Sequence, residues 1–373
     1  MLITIVFDGA PLPSKEGTEV ERARTRADAL AKALEYEELG ERSLAQSHFA
    51  RALDVTPHMA FEVSEALKAE GVNIVVAPYE ADAQLGYLSR NGFVDIVISE
   101  DSDLILFGCK RLLYKLDFKT EIGKELLCDD VFAVSGFSRL SRESFLLTAI
   151  LAGCDYLPSV ASVGIKTAIS LGAKAEGILS SSHHALDSDA FLDKLVVLIR
   201  LSGVDEASLS VNFKDQVKRA ILTFRHQTVF CPTRRRLLPL SSEEVDHAFC
   251  GARYDAETAC SVADCLVHPE TKQPFERRID DTPQPTKTLA RGNKENRGGS
   301  KKQRIQEPIG SRLVDMWQGV SKHEPVIHIL DNDVTERDSK KKYRVTRVSI
   351  DDLRKSGTDS GICDIDSLRF TSR

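Results

Sequence analysis

Short apolar runs alternate with longer segments of helical periodicity along the first half of the chain. The runs are rich in β-branched residues and cover residues 2–7 (LITIVF), 72–77 (VNIVVA) and 93–99 (FVDIVIS). Such runs are typical of strands that are buried on both faces of a parallel sheet. Their alternation with helices predicts an α/β fold with a doubly wound parallel sheet.

Apolar residues at helical spacing predict the helices between and after these strands. The first helix, at about 19–39, is separated by Gly40 from a second that ends near Val55, so the two are predicted to form a hairpin. The second helix of the hairpin resembles a tetratricopeptide unit, but a single copy cannot bury its own face, and no second copy follows in the sequence. Further helices are predicted from about residue 58 and at about 80–91, 142–152, 191–201 and 215–225, with another strand at 110–116.

Four carboxylates stand in two pairs within residues 77–106. Glu80 and Asp82 begin a predicted helix, and Asp101 and Asp103 follow directly on the apolar run 93–99. A single D-x-D motif more often belongs to a solvated loop than to a metal site. Two such pairs close together are costly unless a cation or a shifted protonation compensates them. In extended geometry, we expect Asp101 and Asp103 to point the same way. Glu100, which precedes Asp101, should then point to the opposite side.

Two further acids extend this candidate metal site. One follows the first strand, and the other follows the predicted helix at 142–152. Ligands collect at the carboxyl ends of strands in open α/β sheets, and clustered carboxylates are the ordinary protein site for Mg²⁺. The sequence therefore predicts a magnesium-binding centre made of Asp8, Glu80, Asp82, Asp101, Asp103 and Asp155.

A loop that leads into a helix at residues 162–168 offers a candidate phosphate site. Glycine there permits close approach of the backbone, and the free N–H groups of a helix N-terminus favour phosphate. A generic loop at a helix start is the alternative. The candidate DNA-binding residues of this segment are Gly164, Ile165, Lys166 and Thr167.

The first predicted helix and the loop before it carry several basic residues. Arg22, Arg24 and Arg26 lie on the helix, and Lys15 lies in the loop. Acids lie between these bases, so the default interpretation is that they form a solvated face of an amphipathic helix. The alternative is that they contact phosphate.

Composition and charge limit the class of protein. The 373 residues carry a formal net charge of −6, which argues against a uniformly basic nucleic-acid binder. It is compatible with a protein whose acids are gathered in a metal site. No apolar stretch approaches the length of a membrane span, and no secretory signal is expected at the start. The eight cysteines form no C-x-x-C pair, and Cys260, Cys265 and His268 lack a fourth zinc ligand, which favours free thiols.

The composition changes from about residue 280 onward. Hydrophobic residues become scarce, and residues 287–304 hold seven bases against one acid. We therefore expect a disordered basic tail over 282–373, with basic clusters that suit nuclear import or an electrostatic DNA tether.

Seven motifs in one order resemble the structure-specific 5′ nuclease family, which includes the flap endonucleases. They are VFDG (6–9), LPSK (12–15), EVER (19–22), APYEADAQL (77–85), EDSDLILFGC (100–109), LAGCDYL (151–157) and VGIKTA (163–168). The forms EADA, EDSD and GCDYL are closer to the exonuclease branch than to the flap endonucleases, whose typical forms are EAEA, EDMD and GCDYC. The resemblance implies a parallel-sheet, PIN-like nuclease core over residues 1–281, with a helical arch at about 19–55 and a helix–two-turn–helix element at about 153–170.

The resemblance also implies roles for the acids and bases. The six acids match the metal-site carboxylates of a site for two Mg²⁺ ions, with Asp8, Glu80, Asp82 and Asp101 nearer one ion and Asp103 and Asp155 nearer the other. Such an ion pair clamps the scissile phosphate and generates the attacking hydroxide. Lys15 and Arg24 match catalytic arch bases that contact the phosphate. Arg22 is a further DNA contact, and the helix–two-turn–helix element grips duplex backbone with a K⁺ ion.

The implied function is Mg²⁺-dependent 5′→3′ exonuclease and 5′-flap endonuclease activity on duplex DNA with 5′ ends, nicks or flaps. We expect a monomeric nuclear enzyme of repair, recombination and mismatch repair, with no membrane association. Mismatch-repair and sliding-clamp proteins are the expected partners of the tail.

The chain departs from the family pattern in two places. The family begins with a wedge that splits the DNA junction and a strand that carries one more metal-ligand Asp, and residues 1–7 supply neither, so we expect a core that is incomplete at its N-terminus. The next phosphate-facing arginines of the arch fall near Ala27 and Asp28, where only Arg26 is close. A catalytically weak or silent DNA-binding or scaffold protein of the same family is the alternative.

Overall fold

The computed structural model describes residues 2–276 and 344–347, except for 118–119, 121, 135, 183–184, 206–208, 242 and 244–246. The predicted α/β class is confirmed. The helices are α1 Glu16–Glu38, α2 Arg42–Ala52, α3 Pro57–Ala69, α4 Ala81–Arg90, α5 Arg142–Ala152, α6 Ile165–Ser182, α7 Asp189–Leu201, α8 Phe213–His226 and α9 Ala256–Ala263. The strands are β1 Thr4–Phe7, β2 Asn73–Val76, β3 Val97–Ile98, β4 Arg111–Asp117, β5 Ile122–Leu127, β6 Thr228–Cys231, β7 Arg236–Pro239 and β8 Arg344–Arg347.

Parallel pairing is confirmed for the first four strands. β1 runs parallel to β2 with Thr4 opposite Asn73, and β3 runs parallel to β4 with Val97 opposite Leu112. β4 and β5 are antiparallel, and β6 and β7 form an antiparallel hairpin. The strands of the described ranges therefore divide among three small sheets, which differs from the single doubly wound sheet that was predicted.

The apolar run 93–99 forms a shorter strand than its composition suggests. Only Val97 and Ile98 are in β3, which pairs with β4 on one side in the described part of the chain. Strand length depends on neighbours to pair with, and a run with one short partner contributes few residues to a ladder.

The core is built around α5, of which the stretch from Ser144 to Leu151 is buried without interruption. The helix packs tightly against α6, where a Cβ on Gly172 would lie 1.9 Å from Thr148 Oγ1. This close approach brings the two helices that flank the loop 153–164 into direct contact, and the loop is thereby fixed to the core.

The predicted hairpin at 19–55 is confirmed as α1 and α2, with Gly40 in the positive-φ conformation between them. Small buried residues, Ala29 and Ala33 on α1 and Ala45 on α2, lie between the two helices. The rings of Tyr36 and His48 also stack at 5.3 Å across the hairpin.

Two sequence predictions concern regions at the limit of the described chain. The predicted disordered tail lies outside the described residues except for Arg344–Arg347, which form a strand beside β5. Among the helices that the structure describes, none has both the length and the apolar character that crossing a membrane requires.

Candidate active site

Asp8 lies at the carboxyl end of β1, beside the start of α4. The chain after β1 approaches the end of β2 so closely that a Cβ on Gly9 would lie 1.9 Å from the carbonyl oxygen of Ala77. Ala81 donates its backbone N–H to Asp8 Oδ1 at 2.8 Å. Asp8 thus caps the N-terminus of α4, where a negative charge is favourable, and Glu80 directs its own side chain elsewhere.

Glu80 is one of the six acids, which we call the acidic cluster, and has contacts at both of its carboxylate oxygens. The residue is buried, and its Oε1 lies 2.5 Å from Lys15 Nζ. Its Oε2 accepts a hydrogen bond from the Tyr156 hydroxyl and a second, at 3.0 Å, from Gln227 Nε2. Both oxygens of this carboxylate are therefore fixed by side chains from distant parts of the sequence.

The Lys15 ammonium bridges two acids of the cluster. It lies 2.5 Å from Glu80 and 2.8 Å from Asp155, and the Lys15 side chain is only 15 % exposed. Burial opposes the positive charge, but the two carboxylates outweigh it and raise the pKa of Lys15 above its usual value. Lys15 is therefore a charged, built-in cation within the acidic cluster.

Asp82, in the first turn of α4, lies close to three other acids. Burial raises the pKa of the Asp82 carboxyl to about 7, and the charges of Asp101, Glu80 and Asp8 add to this rise. The carboxylates at the end of β1, the start of α4 and the end of β3 thus interact as one group, as the sequence predicts.

Asp101 and Asp103 are held in a turn of 3₁₀-helix, Ser102–Ile105. Asp101 caps this turn, because its Oδ1 accepts the backbone N–H of Asp103 at 2.8 Å. The expectation of extended geometry holds for Asp101, whose φ and ψ are −84° and 122°, but it is wrong from Ser102 onward, where the chain turns into the 3₁₀-helix that contains Asp103. The two side chains still meet the cluster. Burial raises the pKa of Asp103 well above its ordinary value, and the charges of Asp101 and Asp155 add to it. Glu100 points elsewhere, as expected, and accepts a backbone N–H of β4 at 2.6 Å.

Asp155 joins the cluster from the loop after α5, and the start of α1 docks against it. Thr18 Oγ1 donates to the Asp155 carbonyl oxygen at 2.7 Å. The Arg22 guanidinium lies 2.9 Å from Asp155 Oδ2 and 3.2 Å from Glu19. Arg22 thus contacts the acidic cluster, whereas the default interpretation of the sequence placed it on a solvated helix face. In this structure its contacts are carboxylates, so DNA contact by Arg22 stays a prediction.

The other arginines of α1 have different surroundings. The Arg24 side chain is 73 % exposed and lies 3.8 Å from Glu21, one turn earlier on the same helix. Arg26 lies 3.2 Å from Asp54, which links α1 to the chain after α2. The structure therefore places Arg24 on the outer surface of α1, and its catalytic role stays a prediction.

The candidate phosphate site at 162–168 is a helix start, as the sequence predicts. α6 begins at Ile165, and the first bond into the helix runs from the Ala168 N–H to the Gly164 carbonyl oxygen at 2.9 Å. The backbone N–H groups of Ile165, Lys166 and Thr167 lie in the first turn of α6, ahead of the Ala168 N–H. Gly164 and Lys166 are exposed. Backbone donors at such a position can bind an anion. DNA binding there stays a prediction.

The donor set of the acidic cluster fits divalent ions that prefer oxygen ligands. All six side chains are carboxylates, and Asp103 Oδ1 is a buried oxygen with no hydrogen-bond partner among the described residues. A cation, the Lys15 ammonium, already lies between Glu80 and Asp155. Among the described residues, no group of three or more His, Cys, Asp or Glu side chains is close enough to hold a metal ion, so metal binding by the six acids stays a prediction. The chemistry of the cluster matches Mg²⁺, whose ligands are carboxylates and water.

Sequence reasoning did not find the two neutral residues that hold Glu80. Tyr156 directly follows Asp155 in the GCDYL motif, so its position next to a candidate metal ligand could have indicated that it belongs to the site. Gln227 follows the last residue of α8, and no local pattern marks it as part of a site.

Comparison with known proteins gives a consistent result. Residues 71–155 match the family model described as the XPG I-region, a span that contains five of the six acids. The chain is 36 % identical over 287 residues to exonuclease 1 of Oryza sativa subsp. japonica, covering 74 % of this chain and 32 % of the relative. It is 35 % identical over 295 residues to exodeoxyribonuclease 1 of Schizosaccharomyces pombe, covering 76 % of this chain and 48 % of the relative.

The chain thus spans between a third and a half of the length of these curated relatives. Among solved structures, the catalytic core of Rad2 in complex with DNA substrate aligns with a TM-score of 0.38 and 21 % identity, over 66 % of this chain and 67 % of that one. The sequence relatives and the XPG I-region agree with the resemblance that the seven motifs carry. The chain therefore resembles the structure-specific 5′ nuclease family, and the relatives it matches are named exonuclease 1 and exodeoxyribonuclease 1.

Proposed function

We propose that this chain carries the core of a Mg²⁺-dependent 5′→3′ exodeoxyribonuclease and 5′-flap endonuclease that hydrolyses duplex DNA. The observation that supports this most directly is that carboxylates from four separate segments lie close enough to interact electrostatically, and that two of them, Glu80 and Asp155, share the Lys15 ammonium. The names of the relatives, which are exonucleases, agree with it.

Two ions would be held by different acids, one by Asp8, Glu80, Asp82 and Asp101 and the other by Asp103 and Asp155. Such ions would supply a hydroxide at neutral pH and stabilise the leaving oxygen of an in-line displacement. Ligation of a cation by Glu80 and Asp155 would release the Lys15 ammonium from these two carboxylates. The ammonium can then contact a phosphate oxygen and offset the charge that develops there.

Two further surfaces position the DNA in this proposal. The N–H groups of Ile165, Lys166 and Thr167 hold the duplex backbone, with a K⁺ ion at the loop that precedes them. The hairpin of α1 and α2 forms the arch beside which the 5′ strand passes, where Arg22 and Arg24 contact phosphate. These assignments rest on the exposed helix start of α6 and on the basic residues of α1.

The wider assignments are also proposals. We assign residues 1–281 to the nuclease core and 282–373 to a basic tail that directs the protein to the nucleus. The tail is the proposed site for mismatch-repair and sliding-clamp proteins, and the enzyme acts as a monomer in DNA repair and recombination. The basic clusters of the tail sequence support the nuclear assignment.

Cleavage of defined DNA tests the function directly. The protein is incubated with a 5′-labelled flap and with a recessed duplex, in Mg²⁺ or in chelator, and the length of the labelled product is measured. We expect chelator-sensitive release of 5′ products. Duplex binding without cleavage at any Mg²⁺ concentration would contradict the proposal and favour a silent DNA-binding protein.

Removing acids separates catalysis from the fold. Asp101→Ala and Asp103→Ala should each abolish cleavage and leave duplex binding within a few fold of the wild type, because the proposed DNA-gripping surfaces lie on α1 and α6. Binding is measured by fluorescence anisotropy in EDTA. Loss of binding together with cleavage would mean that these acids hold the fold.

A further inference from the structure

We propose that Tyr156 and Gln227 are positioning residues that orient the Glu80 carboxylate for cation binding, an inference that rests on the function proposed above. Both side chains donate to the same oxygen, Glu80 Oε2. The other oxygen, Oε1, then faces the place between Glu80 and Asp155 that the Lys15 ammonium takes in this structure.

The two donors are buried together with the oxygen they contact. Tyr156 is 9 % exposed and Gln227 is 0 % exposed. A buried carboxylate oxygen that loses its donors is left without compensation, which is costly for a charged group. Glu80 Oε2 is therefore strongly held on the side of Tyr156 and Gln227, and rotation that would exchange its two oxygens is opposed.

Contacts that do not involve Glu80 fix the donors themselves. The Tyr156 ring packs edge-on against Phe224 of α8, with ring centroids 4.9 Å apart. The Gln227 backbone N–H donates to the Thr223 carbonyl oxygen at 3.1 Å, and its carbonyl oxygen accepts from the Leu240 N–H at 2.9 Å. The orientation of Glu80 is thus imposed by two side chains that are themselves held in place by α8 and the chain after it.

Donors behind a ligating carboxylate set its direction and its affinity. Loss of such a donor typically weakens metal binding or activity by about 10–100-fold. Here two neutral donors share one oxygen, so removal of either should leave Glu80 Oε1 less restricted in direction. The inferred effect is on cation affinity, and a purely structural contact would change stability alone.

The chain offers a matched control for the phenol. Tyr79 is also 9 % exposed, and its hydroxyl donates to the Ala252 carbonyl oxygen at 2.8 Å. Tyr156→Phe and Tyr79→Phe therefore remove the same group from residues of equal exposed fraction, and only the first removes a donor from a carboxylate. Gln227→Met removes the amide donor with little change of side-chain volume.

The measurement is the affinity of the DNA-free protein for Mn²⁺, followed by the electron paramagnetic resonance signal of the free ion. We expect Tyr156→Phe and Gln227→Met each to bind Mn²⁺ about 10-fold more weakly than the wild type. Tyr79→Phe should bind as the wild type does. Thermal unfolding of all four proteins shows whether each variant is folded at the temperature of the titration.

The outcomes separate this inference from the proposed function. The positioning role is overturned if folded Tyr156→Phe and Gln227→Met bind Mn²⁺ with the affinity of the wild type. It is also overturned if Tyr79→Phe loses as much Mn²⁺ affinity as they do. A wild type that binds Mn²⁺ tightly but cleaves no DNA overturns the nuclease function and leaves the positioning role standing. A wild type that binds no Mn²⁺ overturns both. If Gln227→Met unfolds, Tyr156→Phe against its control decides the question.

Discussion

Replacing Glu176 with Gln should destabilise the core, because this carboxylate ties α6 to the start of α5. Glu176 Oε2 accepts from the Ser141 N–H at 2.9 Å and from the hydroxyls of Ser141 and Ser144 at 2.5 and 2.6 Å. Its Oε1 accepts from the Ser180 hydroxyl at 3.0 Å. Ser141 is the N-cap of α5, so Glu176 also places a negative charge at a helix N-terminus.

The magnitude follows from the pKa of the Glu176 carboxyl. Burial opposes its charge, but the hydrogen bonds from the serines outweigh burial and lower the pKa from its ordinary 4.5 to about 2. That difference corresponds to at most about 3.4 kcal/mol of stability at about 1.36 kcal/mol per pH unit. The side chain is partly solvent-accessible, so we halve this to about 1.7 kcal/mol. Because the folded pKa is depressed, this stability is present above pH 4.5 and is lost as the pH falls toward 2.

The assay is urea unfolding of the wild type and of Glu176→Gln at pH 7 and pH 3.5. The difference in unfolding free energy should narrow from about 1.7 to about 1.0 kcal/mol, because at pH 3.5 Glu176 is mostly protonated in the unfolded state and still ionised in the folded state. Asp193→Asn is the control. Asp193 is paired with Lys214 on an exposed surface, so its loss should cost less than about 1 kcal/mol. A difference between wild type and Glu176→Gln that is constant with pH would refute the reasoning.

Two further substitutions test the acidic cluster and the helix contact beside it. Lys15→Met should slow cleavage at saturating Mg²⁺ by about 10²–10³-fold, measured as the single-turnover rate, because it removes a charged donor from the proposed phosphate contact. A rate within tenfold of the wild type would contradict that role. Gly172→Ala should destabilise the core by about 1–3 kcal/mol in urea unfolding, because the new methyl group would lie 1.9 Å from Thr148 Oγ1. The double variant Gly172→Ala/Thr148→Ala should recover part of this loss, and no recovery would mean that the clash lies with the backbone.

Helices that carry both periodicity and a stop signal could be predicted closely from the sequence. α5 has the predicted bounds, 142–152, and α4 begins after Glu80 and ends before Asn91. Gly40 ends the first helix of the hairpin at a positive φ of 76°, which glycine adopts at little cost. The periodicity and the stop residue lie within a few residues of one another, so they predict the helix without knowledge of the rest of the chain.

The strand at 93–99 and the turn that follows it were predicted less well. The strand at 93–99 shortened to two residues because its ladder depends on another strand. Asp101 folds the chain by capping the turn that follows it, although its neighbours in the sequence suggested an extended path. A short polar side chain that bonds to the backbone two residues on competes with strand geometry, and composition alone does not reveal which conformation prevails.

The acids of the candidate site could be found from their motifs, but their partners could not. The residues that contact the Glu80 carboxylate lie 65, 76 and 147 positions away in the sequence, at Lys15, Tyr156 and Gln227. Such separations carry no periodic signal. They become visible only when α8, the loop after α5 and the start of α1 are packed together.

The contacts of three acids indicate that the fold itself orients part of the cluster. Asp8 Oδ1 accepts the Ala81 N–H, Asp101 Oδ1 accepts the Asp103 N–H, and Glu80 Oε2 accepts from two side chains. Each of these carboxylates thus commits one oxygen to a donor that is fixed by the fold. Ligands held in this way need little rearrangement to bind a cation, and that lowers the entropic cost of binding. The same donors offset part of the repulsion among the acids, because a hydrogen bond to a carboxylate favours its charged form. The fold therefore holds a dense group of negative charges together by assigning a separate donor to each of these three acids, with Lys15 as the shared counter-charge for Glu80 and Asp155.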